Sequence, residues 1–401
     1  MDELKVLMLG PGEPTALNSG LGIATHHIAK NLNSLVRLTI IQPGDSIEET
    51  HYSEITGVNF QQFSDISVAK DIARISIKAN LAPYFYSGYT SETLTQENIS
   101  ESEVKKELAL FTSKTVSFSQ NIDFDLIYAH DWTTMKAAME IKKATKKPLI
   151  VHIHSLDYDR SATHGESWVY ELEKEGLEAA DRIIAVSEYT AQIINEYYEI
   201  PNHKIDIVHN AIGAYRHSHV NKIFSEKLIL FVGRLTGQKG PAIFMQIAAK
   251  VNQQIPETRF VMAGTGELLK QLIESGAYRS VSGKFHFTGQ LSPKDMKALY
   301  RRCDIYCMPS VSEPFGLSAL EAASMGLPVV ISKQSGAAEV LPAALKADYW
   351  DVDVFVKHII SLLTNDKLYN QVVEGNTKEI SKLSWEEVAE NIMAVFNKVN
   401  A

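Results

Sequence analysis

Short apolar runs rich in β-branched residues alternate along the chain with longer stretches of helical period. KVLMLG at 5–10 is the first such run, and KLILFVG at 227–233 opens a second series. Strands that alternate with helices predict parallel sheets covered by helices on both faces. The predicted strands are 5–10, 36–41, 58–63, 125–130, 149–154, 182–187 and 205–210 in the first series, and 227–233, 259–264, 284–289, 305–310 and 328–333 in the second.

A polar stretch without clear period at 211–227 separates the two series and is typical of a linker. The length of 401 residues also exceeds what one hydrophobic core usually organises. The sequence therefore predicts an α/β protein with two Rossmann-like domains that face a cleft. The predicted domains are 1–215 and 216–382, and the segment 383–401 has the period of a helix that can pack back on the first domain.

The composition narrows the range of partners and compartments. The net charge of −9 argues against a nucleic-acid polymer, since phosphate backbones select basic surfaces. Cys303 and Cys307 would lie about 13 Å apart on an extended strand, too far for a disulfide, so they are predicted to be core thiols in a reducing compartment. The sequence has no apolar run of membrane-spanning length and no signal-peptide layout. We therefore expect a cytoplasmic protein without stable membrane insertion.

Two cations follow the first strand of the second series, in LILFVGRLTGQKG at 228–240. In open parallel sheets, ligands bind beyond the carboxyl ends of the strands. Arg234 takes that position, and Lys239 and Gly240 lead to Pro241, which favours the first turn of a helix. Two fixed cations and a helix N-terminus suit a diphosphate. The alternative is a solvated loop with two ordinary surface cations.

Two glutamates lie in PSVSEPFGLSALEAASMGLPVV at 309–330, with seven residues between them. Glu313 follows a predicted strand and can accept hydrogen bonds from two adjacent hydroxyl groups, whereas Glu321 lies in the next helix and can reach a ribose. Carboxylates on a helix usually face solvent, but the apolar surroundings disfavour that here. The amides at the start of this helix can point at hydroxyl or phosphate oxygens; they belong to Phe315, Gly316 and Leu317.

These segments resemble the retaining glycosyltransferases of family four, which have the GT-B fold, and among them the glycogen and starch synthases. RLTGQKG at 234–240 and EPFGL at 313–317 match stretches of that family, and the seven-residue spacing matches its pair of glutamates. Three segments of the first half match it in the same order along the chain; they are NSGLGIATHHIAKNL at 18–32, AHDW at 129–132 and HIHSLDYDRS at 152–161.

The resemblance implies transfer of glucose from ADP- or UDP-glucose to an α-1,4-glucan, with retention of anomeric configuration and with neither a metal nor another cofactor. It gives His154 a place at the reacting centre and Asp131 a place near the sugar or acceptor. The expected catalytic residues are His154, Glu313, Arg234, Lys239 and Asp131. The expected contacts to the donor are Gly20, Gly22, Arg234, Lys239, Gly264, Phe315, Gly316, Leu317 and Glu321.

Some assignments stay open at this point. Glycogen and starch synthases carry a lysine shortly before their paired glycines, whereas this chain has Asn18-Ser19-Gly20, so the choice between ADP and UDP is not fixed. A family-four enzyme with a sucrose-type, trehalose-type or lipid-linked acceptor is an alternative, as are a nucleotide-sugar epimerase and a non-catalytic glucan-binding protein. EPFGL argues against the epimerase, and the intact set of motifs argues against the binding protein. Oligomeric state is not fixed by these patterns.

Two further segments allow a second interpretation. Asp157-Tyr158-Asp159 resembles the metal motif of the other large glycosyltransferase fold but lacks that fold's context, so we expect a metal-free site. Residues 81–120 interrupt the alternation with a polar, aromatic stretch. Its aromatic residues could stack on sugar rings, but we expect an insertion that packs its own small core. These residues are Tyr84, Phe85, Tyr86 and Tyr89.

Overall fold

A computed structural model describes residues 3–10, 20–43, 58–63, 72–77, 79, 81, 100–161, 167–213, 225–275 and 280–400. The chain divides into two compact units. The first comprises the described residues up to Ala211 together with the C-terminal helix Trp385–Asn400, and the second is Ile212–Ser384. Each unit is a Rossmann-like α/β layer structure around a parallel sheet, as the alternation of strands and helices predicts.

The first unit has an eight-stranded sheet in the order β3-β4-β2-β1-β5-β6-β7-β8. Its strands are β1 Lys5–Leu9, β2 Arg37–Pro43, β3 Val58–Phe63, β4 Ile72–Ile77, β5 Leu126–His130, β6 Leu149–Ile153, β7 Arg182–Ala185 and β8 Ile205–Ile207. Neighbouring strands run parallel except that β3 is antiparallel to β4. Its helices before the linker are α1 Gly20–Leu32, α2 Glu101–Ser119, α3 Trp132–Thr145, α4 Asp157–Arg160, α5 Trp168–Ala179 and α6 Glu188–Tyr197.

The second unit has a six-stranded parallel sheet in the order β11-β10-β9-β12-β13-β14. Its strands are β9 Lys227–Val232, β10 Thr258–Ala263, β11 Phe285–Gly289, β12 Ile305–Met308, β13 Val329–Ser332 and β14 Leu345–Ala347. Its helices are α7 Pro241–Gln254, α8 Leu269–Glu274, α9 Pro293–Tyr300, α10 Leu317–Ser324, α11 Ala337–Val340, α12 Val352–Thr364 and α13 Asp366–Ile380.

Both sheets have a topological switch point, where successive crossovers leave a strand in opposite directions. In the first unit it lies between β1 and β5, and in the second between β9 and β12. Loops that leave neighbouring strands in opposite directions open a crevice at the carboxyl edge, where α/β proteins bind ligands. In the described residues, the topology thus points to the loop after β5, with the loop after β6 beside it, and to the loops after β9 and β12.

Alternation along β5 and β6 gives the central sheet of the first unit two different faces. Ile127, Ala129 and Val151 belong to the apolar core that includes Trp132 of α3. Successive side chains of a strand point to opposite faces, so Tyr128 and His130, and likewise His152, point to the other face. On that side Phe396 of the C-terminal helix lies edge-on to the Tyr128 ring, with the centroids 5.1 Å apart. The last helix of the chain therefore closes a core of the first unit.

Parts of the sequence interpretation need correction. The second part of the predicted insertion at 81–120 is the regular helix α2, which begins with a capping box between Ser100 and Glu103 and buries Phe111 in the core. The sequence analysis did not predict this helix because polar residues dominate its surface. The aromatic residues at 84–89, and most of the predicted linker, lie outside the described residues. Strands β4 and β14 were not predicted, since each is short and carries polar residues.

Two other predictions agree with the structure. Cys303 and Cys307 are buried free thiols. Within the part of the chain that the structure describes, no helix has both the length and the apolar character needed to cross a membrane.

The contact between the C-terminal helix and the sheet gives the first prediction. Replacing the fully buried Phe396 by alanine removes a ring that packs on Tyr128, and such a truncation typically costs about 3 to 5 kcal/mol. We expect the unfolding transition of the first unit to occur at lower denaturant concentration in the Phe396→Ala chain. Fluorescence measures this transition. Asn397→Ala, at an exposed position on the same helix, should unfold like the wild type. Equal shifts in both variants would contradict the packing argument.

Candidate active site

In the second unit, the loops after β9 and β12 are packed backbone to backbone. Gly240 has φ +67°, and a Cβ atom there would lie 2.1 Å from the carbonyl oxygen of Pro309. The amide of Val311 also donates to the carbonyl of Gln238 at 2.8 Å. Glycine is required at 240 by both the left-handed conformation and the close approach. Helix α7 begins at Pro241, directly after it, as predicted.

Lys239 and Glu313, which the sequence analysis assigned to different parts of a ligand, form an ion pair with each other. Lys239 Nζ lies 2.7 Å from Glu313 Oε2, and Ser310 Oγ donates to the same oxygen at 3.3 Å. The Glu313 side chain is 8% exposed and that of Lys239 is 20% exposed. The second carboxylate oxygen, Oε1, is by its chemistry a further acceptor. The pair joins the loops of the two strands that flank the switch point.

The other predicted cation of this loop lies near an acidic residue that the sequence analysis missed. Arg234 Nη2 donates to Gln238 Oε1 at 3.3 Å. Burial raises the pKa of Glu267, and the charge of Arg234 opposes that rise. Within the described part of the chain, Glu267 Oε1 is a buried oxygen without a hydrogen-bond partner. Glu267 directly follows Gly264-Thr265-Gly266, and its position after a strand was the signal that could have identified it.

Gly264 serves to bring two loops together. Its φ is +143°, and a Cβ atom would lie 1.9 Å from the carbonyl oxygen of Gly233. Its amide donates to the carbonyl of Gly289 at 3.0 Å. The amide of Gly264 is hydrogen-bonded to Gly289, and a side chain at 264 would clash with Gly233. Gly264 therefore fixes the edge of the loop beside Arg234. A contact to a nucleotide at this residue stays a prediction.

The segment with Phe315, Gly316 and Leu317 forms the predicted helix start. Helix α10 begins at Leu317, and Gly316 precedes it with φ +98°. A Cβ atom at Gly316 would lie 3.2 Å from Glu313 Cγ, which shows how closely this turn covers the ion pair. Glu321 accepts from the Tyr300 hydroxyl at 3.1 Å, and burial raises its pKa.

In the first unit, Asp131 and His154 come together at the ends of β5 and β6. Asp131 is fully buried with φ +53°, and its Oδ1 accepts from the backbone amides of His154 at 2.7 Å and Ser155 at 3.4 Å. Burial raises the pKa of Asp131 to about 7, although these amides favour the carboxylate. The structure thus gives Asp131 a bond to the backbone of His154. A contact of Asp131 with sugar or acceptor stays a prediction.

Three histidines lie side by side on this edge. His130 Nδ1 lies 2.9 Å from His154 Nε2, and His152 Nδ1 lies 2.6 Å from the Tyr128 hydroxyl. The His152 and His154 rings are stacked at 4.2 Å with 24° between their planes. Burial lowers the pKa of all three, that of His154 to about 3, so the rings are neutral at physiological pH. Their potential ligand atoms lie within 4.8 Å of one another. Among the described residues, these three histidines are therefore the group that could hold a metal ion.

The short helix after His154 is held by a buried ionic network. Arg160 donates to Glu173 Oε1 at 2.7 Å and to Ser155 Oγ at 2.7 Å, and Glu173 also accepts from the Asp157 amide. Burial raises the pKa of Glu173 to about 7, against the charge of Arg160. The carboxylate of Asp159 accepts from the Leu156 amide. Asp157 and Asp159 are both buried here, and a metal-free site at Asp157-Tyr158-Asp159 stays a prediction.

The two glycines expected to contact the donor, Gly20 and Gly22, lie in the first turn of a helix. Helix α1 begins at Gly20, and Gly22 is buried within its first turn. The preceding residues 11–19 lie outside the described part of the chain. A contact of Gly20 and Gly22 with the donor stays a prediction.

With this geometry in place, the chain can be compared with known proteins. Residues 217–379 match the family model described as glycosyl transferases group 1, and residues 98–214 match the model described as glycosyltransferase family 4. The first match covers most of the second unit, and the other covers the strands that carry Asp131 and His154.

Curated relatives cover most or all of the chain at low identity. An uncharacterized glycosyltransferase of Methanocaldococcus jannaschii is 25% identical, over 98% of this chain and 98% of its own. A D-inositol 3-phosphate glycosyltransferase of Segniliparus rotundus is 26% identical, over 75% of this chain and 72% of its own.

Solved structures extend the likeness in fold. Sucrose-phosphate synthase from Thermosynechococcus elongatus superposes with a TM-score of 0.75 at 16% identity, with 98% of each chain covered. A trehalose-6-phosphate protein of E. coli bound with UDP-2-fluoro glucose has a TM-score of 0.73 at 13% identity, with 97% of this chain and 98% of that one covered. Both show the same GT-B architecture of two Rossmann-like units.

The close approach at Gly264 predicts a large effect of one methyl group. Gly264→Ala would place Cβ against the Gly233 carbonyl in a backbone conformation that alanine rarely adopts, so we expect a loss of at least about 2 kcal/mol in the free energy of unfolding. Denaturant titration of the full chain measures it. Gly283→Ala, which meets nothing within 4 Å, is the matched control. A Gly264→Ala chain as stable as that control would refute the assignment.

The buried Asp131 predicts a pH-dependent difference between two chains. Its pKa rises from 3.8 to about 7, so between these values the folded state holds a proton that the unfolded state has released, and stability falls as the pH rises. Asp131→Asn cannot titrate. Its free energy of unfolding relative to the wild type should increase from pH 4 to pH 7, by on the order of 1 kcal/mol or more.

Denaturant titrations at several pH values give this difference. Asp353→Asn, at a largely exposed carboxylate, provides the comparison. A difference between Asp131→Asn and the wild type that stays constant with pH would show that Asp131 titrates normally in the folded state.

Proposed function

We propose that this chain is a glycosyltransferase of the GT-B type, and that it transfers a hexose from a nucleoside-diphosphate sugar to a hydroxyl group with retention of the anomeric configuration. The observation that carries the proposal is the Lys239–Glu313 pair at the switch point of the second unit. It supplies, side by side, a cation for a diphosphate and a carboxylate for sugar hydroxyls. Arg234 adds a second cation on the same loop.

In the proposed reaction, the bond between the sugar C1 and the diphosphate oxygen breaks, and the acceptor oxygen bonds to C1. The acceptor proton leaves with the diphosphate. Negative charge grows on the departing diphosphate, so cations that are already fixed in place stabilise the transition state without further reorganisation. The Glu313 carboxylate holds Lys239 in place before any ligand arrives, and its second oxygen is proposed to accept from a sugar hydroxyl. This arrangement needs no metal to neutralise the leaving group.

The remaining roles follow the resemblance noted in the sequence. We propose that the amides at the start of α10, at Phe315–Leu317, bind phosphate or sugar oxygens and that Glu321 binds the ribose. His154 is proposed to hydrogen-bond the transferred sugar. Its Nδ1 is a buried ring nitrogen for which the described residues offer no hydrogen-bond partner, and at 8% exposure it is the histidine of its cluster with contact to solvent.

The donor is proposed to be a UDP-sugar, since similar structures are described with UDP and glucose or with UDP-2-fluoro glucose. For the acceptor we favour a small polyhydroxylated molecule that can carry a phosphate group. This agrees with relatives described as D-inositol 3-phosphate glycosyltransferases and with a structural neighbour described as a sucrose-phosphate synthase. An α-1,4-glucan is the second candidate, on the strength of the resemblance to glycogen synthases.

The first experiment measures nucleoside-diphosphate release from UDP-glucose and ADP-glucose in EDTA. Each donor is offered alone, with D-inositol 3-phosphate, with glucose 6-phosphate or fructose 6-phosphate, and with maltooligosaccharide. Acceptor-dependent release in EDTA, with an α-linked product by NMR, is the expected result. Release that depends on maltooligosaccharide but not on the small acceptors would favour the glucan. A requirement for a divalent cation would overturn the metal-free part of the proposal.

A lysine variant tests the part played by the ion pair. Lys239→Ala should lower turnover by about 10²- to 10³-fold, the usual effect of removing one donor that stabilises transition-state charge, while the folding transition stays cooperative. Lys250→Ala is the matched control, because Lys250 also forms an ion pair, with Asp353 at 2.6 Å, on the exposed surface of α7. Near-normal turnover of Lys239→Ala would show that this cation does not act on the leaving group.

A further inference from the structure

Two of the three neighbouring histidines are joined by a direct hydrogen bond between their imidazole rings, to which no role has been given so far. His130 Nδ1 and His154 Nε2 lie 2.9 Å apart, so one nitrogen carries a proton and the other accepts it. Because both rings are neutral, fixing the proton on one ring fixes the tautomer of the other. Whether His154 Nδ1 carries a proton is therefore decided at His130, which is fully buried.

Two arrangements satisfy this bond. If His154 donates from Nε2, then His130 must carry its proton on Nε2, and in the described surroundings this donor is buried without a partner. If His130 donates from Nδ1, its buried Nε2 is only an unpaired acceptor, and the unpaired donor is His154 Nδ1. Unpaired buried N–H groups are rarer than unpaired acceptors. Both nitrogens are buried, but the second arrangement places the unpaired N–H group on His154, which at 8% exposure is the one of the two residues in contact with solvent.

We propose that His130 is a positioning residue that donates its Nδ1 proton to His154 and thereby holds His154 as the tautomer with an N–H group at Nδ1. The inference rests on the proposed function for its catalytic meaning, since this N–H group would donate to an oxygen of the transferred sugar. The Asp131 carboxylate fixes the backbone of His154, and His130 fixes its ring, so both components of the orientation come from the end of β5.

The same cluster could instead bind a transition metal, but its geometry favours the direct bond. A metal needs lone pairs of three imidazoles to converge on one point. Here His130 and His154 already use one nitrogen each on the other, and their rings are stacked with 23° between planes. His152 is likewise stacked on His154, and its Nδ1 contacts the Tyr128 hydroxyl. Rings that lie nearly parallel direct their edges along each other rather than towards a shared centre.

The test is a tautomer measurement on the full chain labelled with ¹⁵N-histidine. Long-range ¹H–¹⁵N correlation distinguishes protonated from unprotonated ring nitrogens, and the signals of His154 are those lost in His154→Gln. In the wild type we expect His154 to have one dominant tautomer, protonated at Nδ1. His130→Leu removes the donor and should give a mixture or a shift towards Nε2–H. His130→Asn keeps an amide donor near the position of Nδ1 and should restore the wild-type tautomer.

Tyr128→Phe is the matched control, because it removes the hydroxyl that contacts His152 and leaves the bond between His130 and His154 in place. The wild-type tautomer of His154 should persist in this variant. A proton on Nε2 of His154 in the wild type, or an unchanged tautomer in His130→Leu, would overturn the proposal. Stoichiometric binding of added Zn²⁺ with changes at all three histidines would do so as well, in favour of the metal site.

A kinetic readout follows where the transfer reaction is observed. With UDP-glucose as donor, His130→Leu should lower kcat about tenfold with little change in KM, the loss expected for one hydrogen bond made in the transition state, and His130→Asn should recover most of it. A chain without transferase activity would refute the proposed function while the NMR result still decides the tautomer. Full activity of His130→Leu together with the predicted tautomer shift would refute the catalytic meaning alone.

Discussion

The carboxylate of Asp131 joins the ends of two neighbouring strands, and the geometry of the first unit's edge follows from that bond. Its Oδ1 holds the backbone amide of His154, and its own backbone, at φ +53°, turns β5 directly into α3. A buried carboxylate and a left-handed aspartate are both unfavourable alone. They persist because the strands, the stacked histidines and the apolar core beneath them over-determine the position. Strain of this kind is typical of a functional edge rather than of a merely structural one.

In the second unit, the loops after two neighbouring strands are joined by an ion pair instead of a carboxylate bonded to amides. Lys239 and Glu313 connect the loops on either side of the switch point, and glycines at 240 and 316 let the backbone approach closely enough for the pair to form. The two edges therefore have different electrostatic character. One offers neutral imidazole and a carboxylate with one oxygen bonded to backbone amides, and the other offers an ion pair whose cation a diphosphate can compete for.

Much of this was predictable from sequence, and what was not has identifiable physical causes. Strand and helix alternation gave both sheets, because parallel strands need long apolar runs and the crossover helices have a strong period. Position after a strand singled out Arg234 and Glu313, whereas Asp131 was expected only from the family resemblance. The Lys239–Glu313 contact was missed because 74 residues separate its partners, and pairing across a sheet leaves no local pattern. His130 was missed for a similar reason: its partner lies on the adjacent strand, and only the register of β5 against β6 brings the rings together.

The C-terminal helix belongs to the first unit although the whole second unit precedes it in the chain. A ribosome therefore releases every residue of the second unit before the first can be completed. Domains of most proteins mature in the order in which they are synthesised, but here the order is reversed. Until that helix emerges, the side of Tyr128 on which Phe396 packs stays uncovered in the nascent chain. A chain that stops before the helix therefore carries all of the second unit without the helix that closes a core of the first.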